Sequence, residues 1–98
     1  MKIESIELKR VKPEKTLRAF AACVLTGEFN LKLSSIALHS DGQRYWISFP
    51  KIRTSQGELF FSYIPMDEYT HKAIEQAIIE KYEKELNKWE EKRLDNGI

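Results

Sequence analysis

Hydrophobic and polar positions alternate with a period of two through most of the first 64 residues, then switch to spacings of three and four. The first pattern belongs to half-buried strands and the second to one face of a helix. Residues 3–11 read as the first strand, with Ile6 and Leu8 alternating against Glu7 and Lys9. A polar turn from Val11 to Lys15 follows, and Pro13 excludes a central strand there because it cannot donate to a ladder. Residues 17–25 resume as a strand with two apolar faces. Ala19, Ala21 and Cys23 share one, and Phe20, Ala22 and Val24 share the other. Such a strand is central and covered on both sides, by the helix and by a partner subunit.

Thr26-Gly27-Glu28 marks a turn, with Gly27 as an alternative bulge position. Phe29, Leu31 and Leu33 then alternate with Asn30, Lys32 and Ser34. At Ser34-Ser35 the phase slips by one residue and Ile36 and Leu38 continue in the new phase. One extra residue in a strand does this, so a β-bulge or bend is expected there. Ser40-Asp41-Gly42-Gln43 is the clearest hairpin turn. Residues 44–49 form the next strand, ended by Pro50. Lys51 to Gly57 reads as a polar loop with its tip at Ser55-Gln56-Gly57, and residues 58–64 as the last strand, placing Leu59, Phe61 and Tyr63 on one face.

After Pro65, a helix of about 25 residues and ~38 Å is expected over 67–93, with Asp67 as N-cap and Thr70 as an alternative. Ala73, Ile74, Ala77, Ile78 and Tyr82 form its apolar stripe, which Leu86, Trp89 and Arg93 extend. Gly97 falls beyond its end. The expected class is α+β, a small, largely antiparallel sheet of about five strands followed by one long C-terminal helix, in a single domain spanning residues 1–98.

Composition narrows the function more than the fold. Ninety-eight residues suffice for one sheet and one covering helix. Nothing approaches the run of about 18 apolar residues that spans a bilayer, and Glu4 and Glu7 interrupt any signal-like N-terminal core. The single cysteine, Cys23, excludes an internal disulfide and fits a reducing compartment. The net charge of +1 conceals an asymmetry: residues 1–66 hold ten Lys or Arg against six Asp or Glu, and residues 67–98 hold six against nine. A basic sheet region and an acidic helix result.

Two histidines and one cysteine do not make a structural zinc site on their own. Neither a phosphate-cradling glycine loop nor a nucleophile elbow is present, and no cofactor is expected. Catalysis is therefore the weakest reading, and the expectation is a non-enzyme.

The most informative stretch is Tyr45-Trp46-Ile47-Ser48-Phe49-Pro50-Lys51-Ile52-Arg53-Thr54, closed by Gly57-Glu58. An aromatic strand runs into a proline, with two cations beside it. Rings stack on bases while Lys and Arg meet phosphate, so this combination suits a nucleic-acid surface. The candidate contacts are Lys51 and Arg53, helped by Arg44, Arg18, Lys12 and Lys15. Trp46 is either a base-stacking ring or a core or interface ring, and Arg44 and Arg18 are otherwise solvated cations of the sheet face. A second reading is a protein-interaction module that engages its partner through Phe60, Phe61 and Tyr63 or through the Leu86–Trp89 end of the helix.

In order and spacing, these segments resemble the SpoVG septation-regulator family, named for stage V sporulation protein G. The likeness runs through Ile6, Leu8, Arg10 and Val11, then Leu17-Arg18-Ala19-Phe20-Ala21 and Glu28-Phe29. It is most specific at Ile47-Ser48-Phe49-Pro50-Lys51-Ile52-Arg53-Thr54 with Gly57-Glu58, followed by Pro65-Met66 and by Ile74 through Tyr82. The resemblance implies an α+β domain that dimerises through its sheet, and a cytoplasmic bacterial or phage regulator that binds DNA or RNA and influences sporulation or cell division. Basic residues around the proline turn are associated with nucleic-acid contact in that family, and Lys51 and Arg53 match them. The chain departs from the family pattern at Phe49, at Phe60 and Phe61, which replace a charged pair, and in its extension from Glu83 to Arg93. His71 and Lys72 stand near a basic position at the helix start.

Overall fold

The computed structural model describes residues 1–96, with side chains as far as Trp89. Six strands and one helix follow in chain order: β1 (Lys2–Glu14), β2 (Leu17–Thr26), β3 (Leu31–Ser40), β4 (Tyr45–Ser48), β5 (Lys51–Arg53), β6 (Leu59–Phe61) and α1 (Glu68–Asn96). The first four build one antiparallel sheet in the order β1-β2-β3-β4, and β5 and β6 pair separately as a two-stranded hairpin. This is the α+β class that the alternation predicts. Arg93, placed by the sequence on the apolar stripe, and Gly97 lie outside the residues whose side chains are described.

The phase slip at Ser34-Ser35 is a bulge. Ala21 pairs with Ile36 and Cys23 with Leu33, so three steps along β3 oppose two along β2, and Ser35 takes a φ of 62°. The extra residue lets Leu33 and Ile36, three apart, both point into the core. A similar irregularity in β1 lies between Glu4 and Glu7, where Ser5 has a φ of 53°. It likewise brings Ile3 and Ile6 against the core.

Several boundaries differ from the sequence reading: the last strand stops at Phe61 rather than at Ile64, and the helix runs to Asn96 rather than ending at residue 93. β1 continues through Pro13 to Glu14 because it is an outer strand and Pro13 falls in a second irregularity between Arg10 and Glu14; a missing donor costs nothing there. Lys51–Arg53, read as the start of a polar loop, is strand β5. It pairs with β6 as Lys51↔Phe61, Ile52↔Phe60 and Arg53↔Leu59. The loop proper is only the turn from Thr54 to Glu58, closed by Gly57 N–H to the Thr54 carbonyl at 2.9 Å and Thr54 N–H to the Glu58 carbonyl at 2.8 Å. Gly57 supplies the left-handed residue, at φ 85°.

One face of the sheet carries the core. Ala19, Ala21 and Cys23 of β2, Leu33, Ile36 and Leu38 of β3, and Ile47 and Phe49 are buried against Ile74, Ile78 and Tyr82 of the helix. The small β2 side chains leave the space that Ile74 and Ile78 fill, and both isoleucines are fully buried. Asp67 caps the helix, its carboxylate accepting from the Thr70 backbone N–H at 2.7 Å and the Thr70 hydroxyl at 2.9 Å. The opposite face of the sheet has no covering layer in the described chain. Phe20 is exposed there, with Ala22, Val24, Ala37, His39, Trp46 and Ser48 partly exposed around it. The sequence placed a partner subunit on this face of β2.

Candidate nucleic-acid interface

Pro50 ends the sheet's fourth strand and redirects the chain into the β5–β6 hairpin. Alternation across the paired strands puts Lys51, Arg53, Leu59 and Phe61 on one face and Ile52 and Phe60 on the other. All six are exposed. Phe60 is 51% and Phe61 45% accessible, values that belong to surface side chains rather than to a core. The Lys51 ammonium lies 4.8 Å from the centroid of the Phe61 ring. The Arg53 guanidinium donates to the Gly57 carbonyl at 2.9 Å, which orders it across the turn; the residue is exposed and has further donors beyond that bond. A cation–π contact at an exposed site is worth about 0.5–1 kcal/mol. A base on an aromatic ring contributes about 1–3 kcal/mol.

The remaining basic candidates occupy a different end of the molecule. The β1–β2 and β3–β4 turns meet there, joined by the Ser40 N–H donating to the Thr16 carbonyl at 2.8 Å. Lys12 and Lys15 are exposed beside the first turn. Arg18 is committed to that turn, donating to the Lys15 and Leu17 carbonyls at 2.9 and 3.1 Å. Arg44 follows the second turn, where Asp41 accepts from the Gln43 and Arg44 backbone N–H groups at 2.9 and 3.0 Å. Those bonds, and the Arg44 charge, hold the Asp41 carboxyl below the usual carboxylate range.

Trp46 lies on the sheet face opposite the helix. His39 stacks on it with centroids 5.7 Å apart and planes 12° from parallel, and the Arg44 guanidinium sits 5.4 Å from its centroid. The sequence reading missed His39. Its Nδ1 is 3.0 Å from the Thr16 hydroxyl and its Nε2 3.0 Å from the Ser48 hydroxyl, so both ring nitrogens are occupied. The cross-strand pairings Leu17↔His39, His39↔Trp46 and Ala37↔Ser48 bring these groups together. A search for alternating polar residues on neighbouring strands would have been the available signal.

The aromatic candidates for a protein interface divide in the same way. Phe60 and Phe61 are open, whereas Tyr63 is packed edge-on against Phe49 at 5.6 Å and donates its hydroxyl to the Ser34 carbonyl at 2.6 Å. Burial, and secondarily the neighbouring Cys23, pushes the Tyr63 phenol up to about 12. Leu86 and Trp89, read as a candidate partner surface, pack against the chain's own core. Trp89 meets Tyr82 edge-on at 5.8 Å and lies under the Arg10 guanidinium at 4.6 Å. Cys23 is buried, and desolvation raises its thiol pKa, so it is a packing residue rather than a nucleophile.

Among the described residues, no group of three or more His, Cys, Asp or Glu is arranged to hold a metal ion, and no helix is long and apolar enough to cross a membrane. No curated protein matches the chain. The family model described as SpoVG matches residues 1–84, which include the whole sheet, the hairpin and the helix through its buried Tyr82. That match carries a general regulatory, non-enzymatic role, and the chain belongs to the SpoVG family.

Proposed function

We propose that this protein is a dimeric nucleic-acid-binding regulator of the cytoplasm, acting on gene expression tied to septation or sporulation. The observation that carries the reading is the β5–β6 hairpin, which holds Lys51 and Arg53 on one exposed face. A guanidinium held by the Gly57 carbonyl and an ammonium over the Phe61 ring, two residues apart, suit successive phosphates along one strand. Arg44, Lys12 and Lys15 supply further positive charge from the turn end of the sheet, and Trp46, already stacked on His39, is a structural ring of that face. Two hairpin cations per chain give modest, salt-sensitive affinity, and a second copy doubles the footprint. The uncovered sheet face around Phe20 is the surface on which that copy is seated in this reading.

Fluorescence-anisotropy titration of labelled oligonucleotides at low and high salt tests the function. Binding that weakens with salt and is lost in Lys51→Ala/Arg53→Ala supports it. A folded protein that binds no nucleic acid at low salt refutes it. One observation favours a second reading as a protein-binding module: Ile52 and Phe60 form an exposed apolar pair on the hairpin face without cations.

A further inference from the structure

We infer that the hairpin selects single-stranded nucleic acid and that Phe61 is the residue on which an unpaired base stacks. The inference rests on the nucleic-acid reading above and adds to it the strand state of the ligand and a residue that recognises it. The cross-strand register is the starting point. Lys51 is directly opposite Phe61 and Arg53 directly opposite Leu59, so both cations share a face with two exposed apolar side chains. Strand geometry places Lys51 and Arg53 about 6.7 Å apart along β5, with the ring one strand away, about 4.8 Å to the side.

A duplex matches this face poorly. It offers phosphate and sugar along its backbones and base edges in its grooves, while the faces of its bases are stacked on one another. Phe61 would meet no base face there on which to stack. A single strand satisfies both kinds of group at once, because its phosphates run beside its own unstacked bases. The contact between the Lys51 ammonium and the Phe61 ring shows that a charged group and the ring occupy the same neighbourhood. A phosphate drawn to Lys51 therefore brings its base to Phe61.

The acidic residue nearest in sequence does not spoil this face. Glu58 is opposite Thr54 at the end of the hairpin, on the same side as Ile52 and Phe60 by alternation. Trp46 does not serve the same strand position, since it belongs to the sheet and is already stacked on His39. Phe60, on the reverse face, provides an internal control of equal size and hydrophobicity on the same strand.

The test is anisotropy titration of the full chain with one mixed-sequence oligonucleotide presented single-stranded and as its duplex. Wild type is compared with Phe61→Ala, Phe60→Ala and Lys51→Ala/Arg53→Ala, each checked by thermal melting and for oligomeric state by sedimentation. The expected result is tighter binding of the single strand by about tenfold. Phe61→Ala removes that preference while keeping the salt slope, and Phe60→Ala retains it. Equal affinity of wild type for both forms, abolished in the double cation variant, overturns the inference and leaves the nucleic-acid reading standing. Absence of binding to either form overturns both. A Phe61→Ala protein that dissociates into smaller species with unchanged affinity assigns the ring to a contact between copies and also overturns the inference.

Discussion

The Arg10 guanidinium lies 4.6 Å from the centroid of the Trp89 ring, fastening the later turns of the helix to the first strand of the sheet. Trp89 also meets Tyr82 edge-on, and Tyr82 meets Tyr45 of β4 at 5.7 Å, so the helix end is held through a line of rings. Trp89→Ala is expected to cost about 2–3 kcal/mol in urea unfolding through lost apolar burial. Arg10→Ala is expected to cost about 0.5–1 kcal/mol. A double-mutant cycle gives a favourable coupling between them; strict additivity would mean that the contact contributes nothing.

The bulge at Ser35 makes a backbone prediction. At φ 62° a non-glycine residue carries a left-handed penalty of about 1–2 kcal/mol, most severe for β-branched side chains. Ser35→Gly is therefore neutral or stabilising by up to about 1 kcal/mol, and Ser35→Val is destabilising. The reverse order in denaturant midpoints would show that the serine hydroxyl, rather than the bulge conformation, decides the residue there.

Tyr63 provides an alkaline signature. Its pKa is raised to about 12 in the folded state, first by burial and then by Cys23, so the unfolded chain loses the phenolic proton at lower pH than the native protein does. The stabilisation is complete below the ordinary tyrosine pKa of about 10 and declines as pH rises from there through the native value. Tyr82 is raised as well, by burial and by Tyr45, and acts in the same direction. Tyr63→Phe should flatten the alkaline fall in thermal midpoint and cost about 0.5–1.5 kcal/mol at neutral pH through loss of the bond to the Ser34 carbonyl. An unchanged alkaline limb would assign the loss to other groups.

Asp67 governs the acid side of the helix. Hydrogen bonds from the Thr70 backbone and hydroxyl hold its carboxyl below the usual range, so its contribution is present above the unfolded pKa and disappears as pH falls through the native one. Asp67→Ala is expected to lower the thermal midpoint at neutral pH. The difference from wild type should close in strongly acidic buffer. A gap that persists there would point to helix geometry rather than carboxylate charge.

Much of the sheet could be read directly because its positions obey one rule at a time. Ala19, Ala21 and Cys23 alternate cleanly toward the helix, and the slip at Ser34-Ser35 announces its bulge because Leu33 and Ile36 cannot both be inward in an unbroken strand. Ile74, Ile78 and Tyr82 follow the helical period just as plainly. β5 was obscure for the opposite reason: Lys51-Ile52-Arg53 offers one apolar residue between two cations, and only pairing with Leu59–Phe61 makes it a strand. The site divides along the same line. Lys51 and Arg53 stand out from their types and from the proline before them. The Phe61 and His39 neighbourhoods require knowledge of which residues lie across from one another, which composition along one strand does not contain. Leu86 and Trp89 continue the helical stripe and read as a surface for a partner, yet Arg10 on a distant strand provides the surface that receives Trp89.

The chain order of the sheet, β1-β2-β3-β4, bears on how the protein is made. Each strand pairs with its predecessor, so the four-stranded sheet assembles from neighbouring hairpins with little loop-closure cost, a topology associated with rapid folding. The layer that completes the core comes last. Until Ile74, Ile78 and Tyr82 leave the ribosome, the apolar surface formed by Ala19, Ala21, Cys23, Leu33, Ile36 and Leu38 has nothing to cover it. A nascent chain that stalls within the hairpin is thus an open sheet with a bare hydrophobic side, the form in which this protein is most exposed to aggregation and to capture by chaperones.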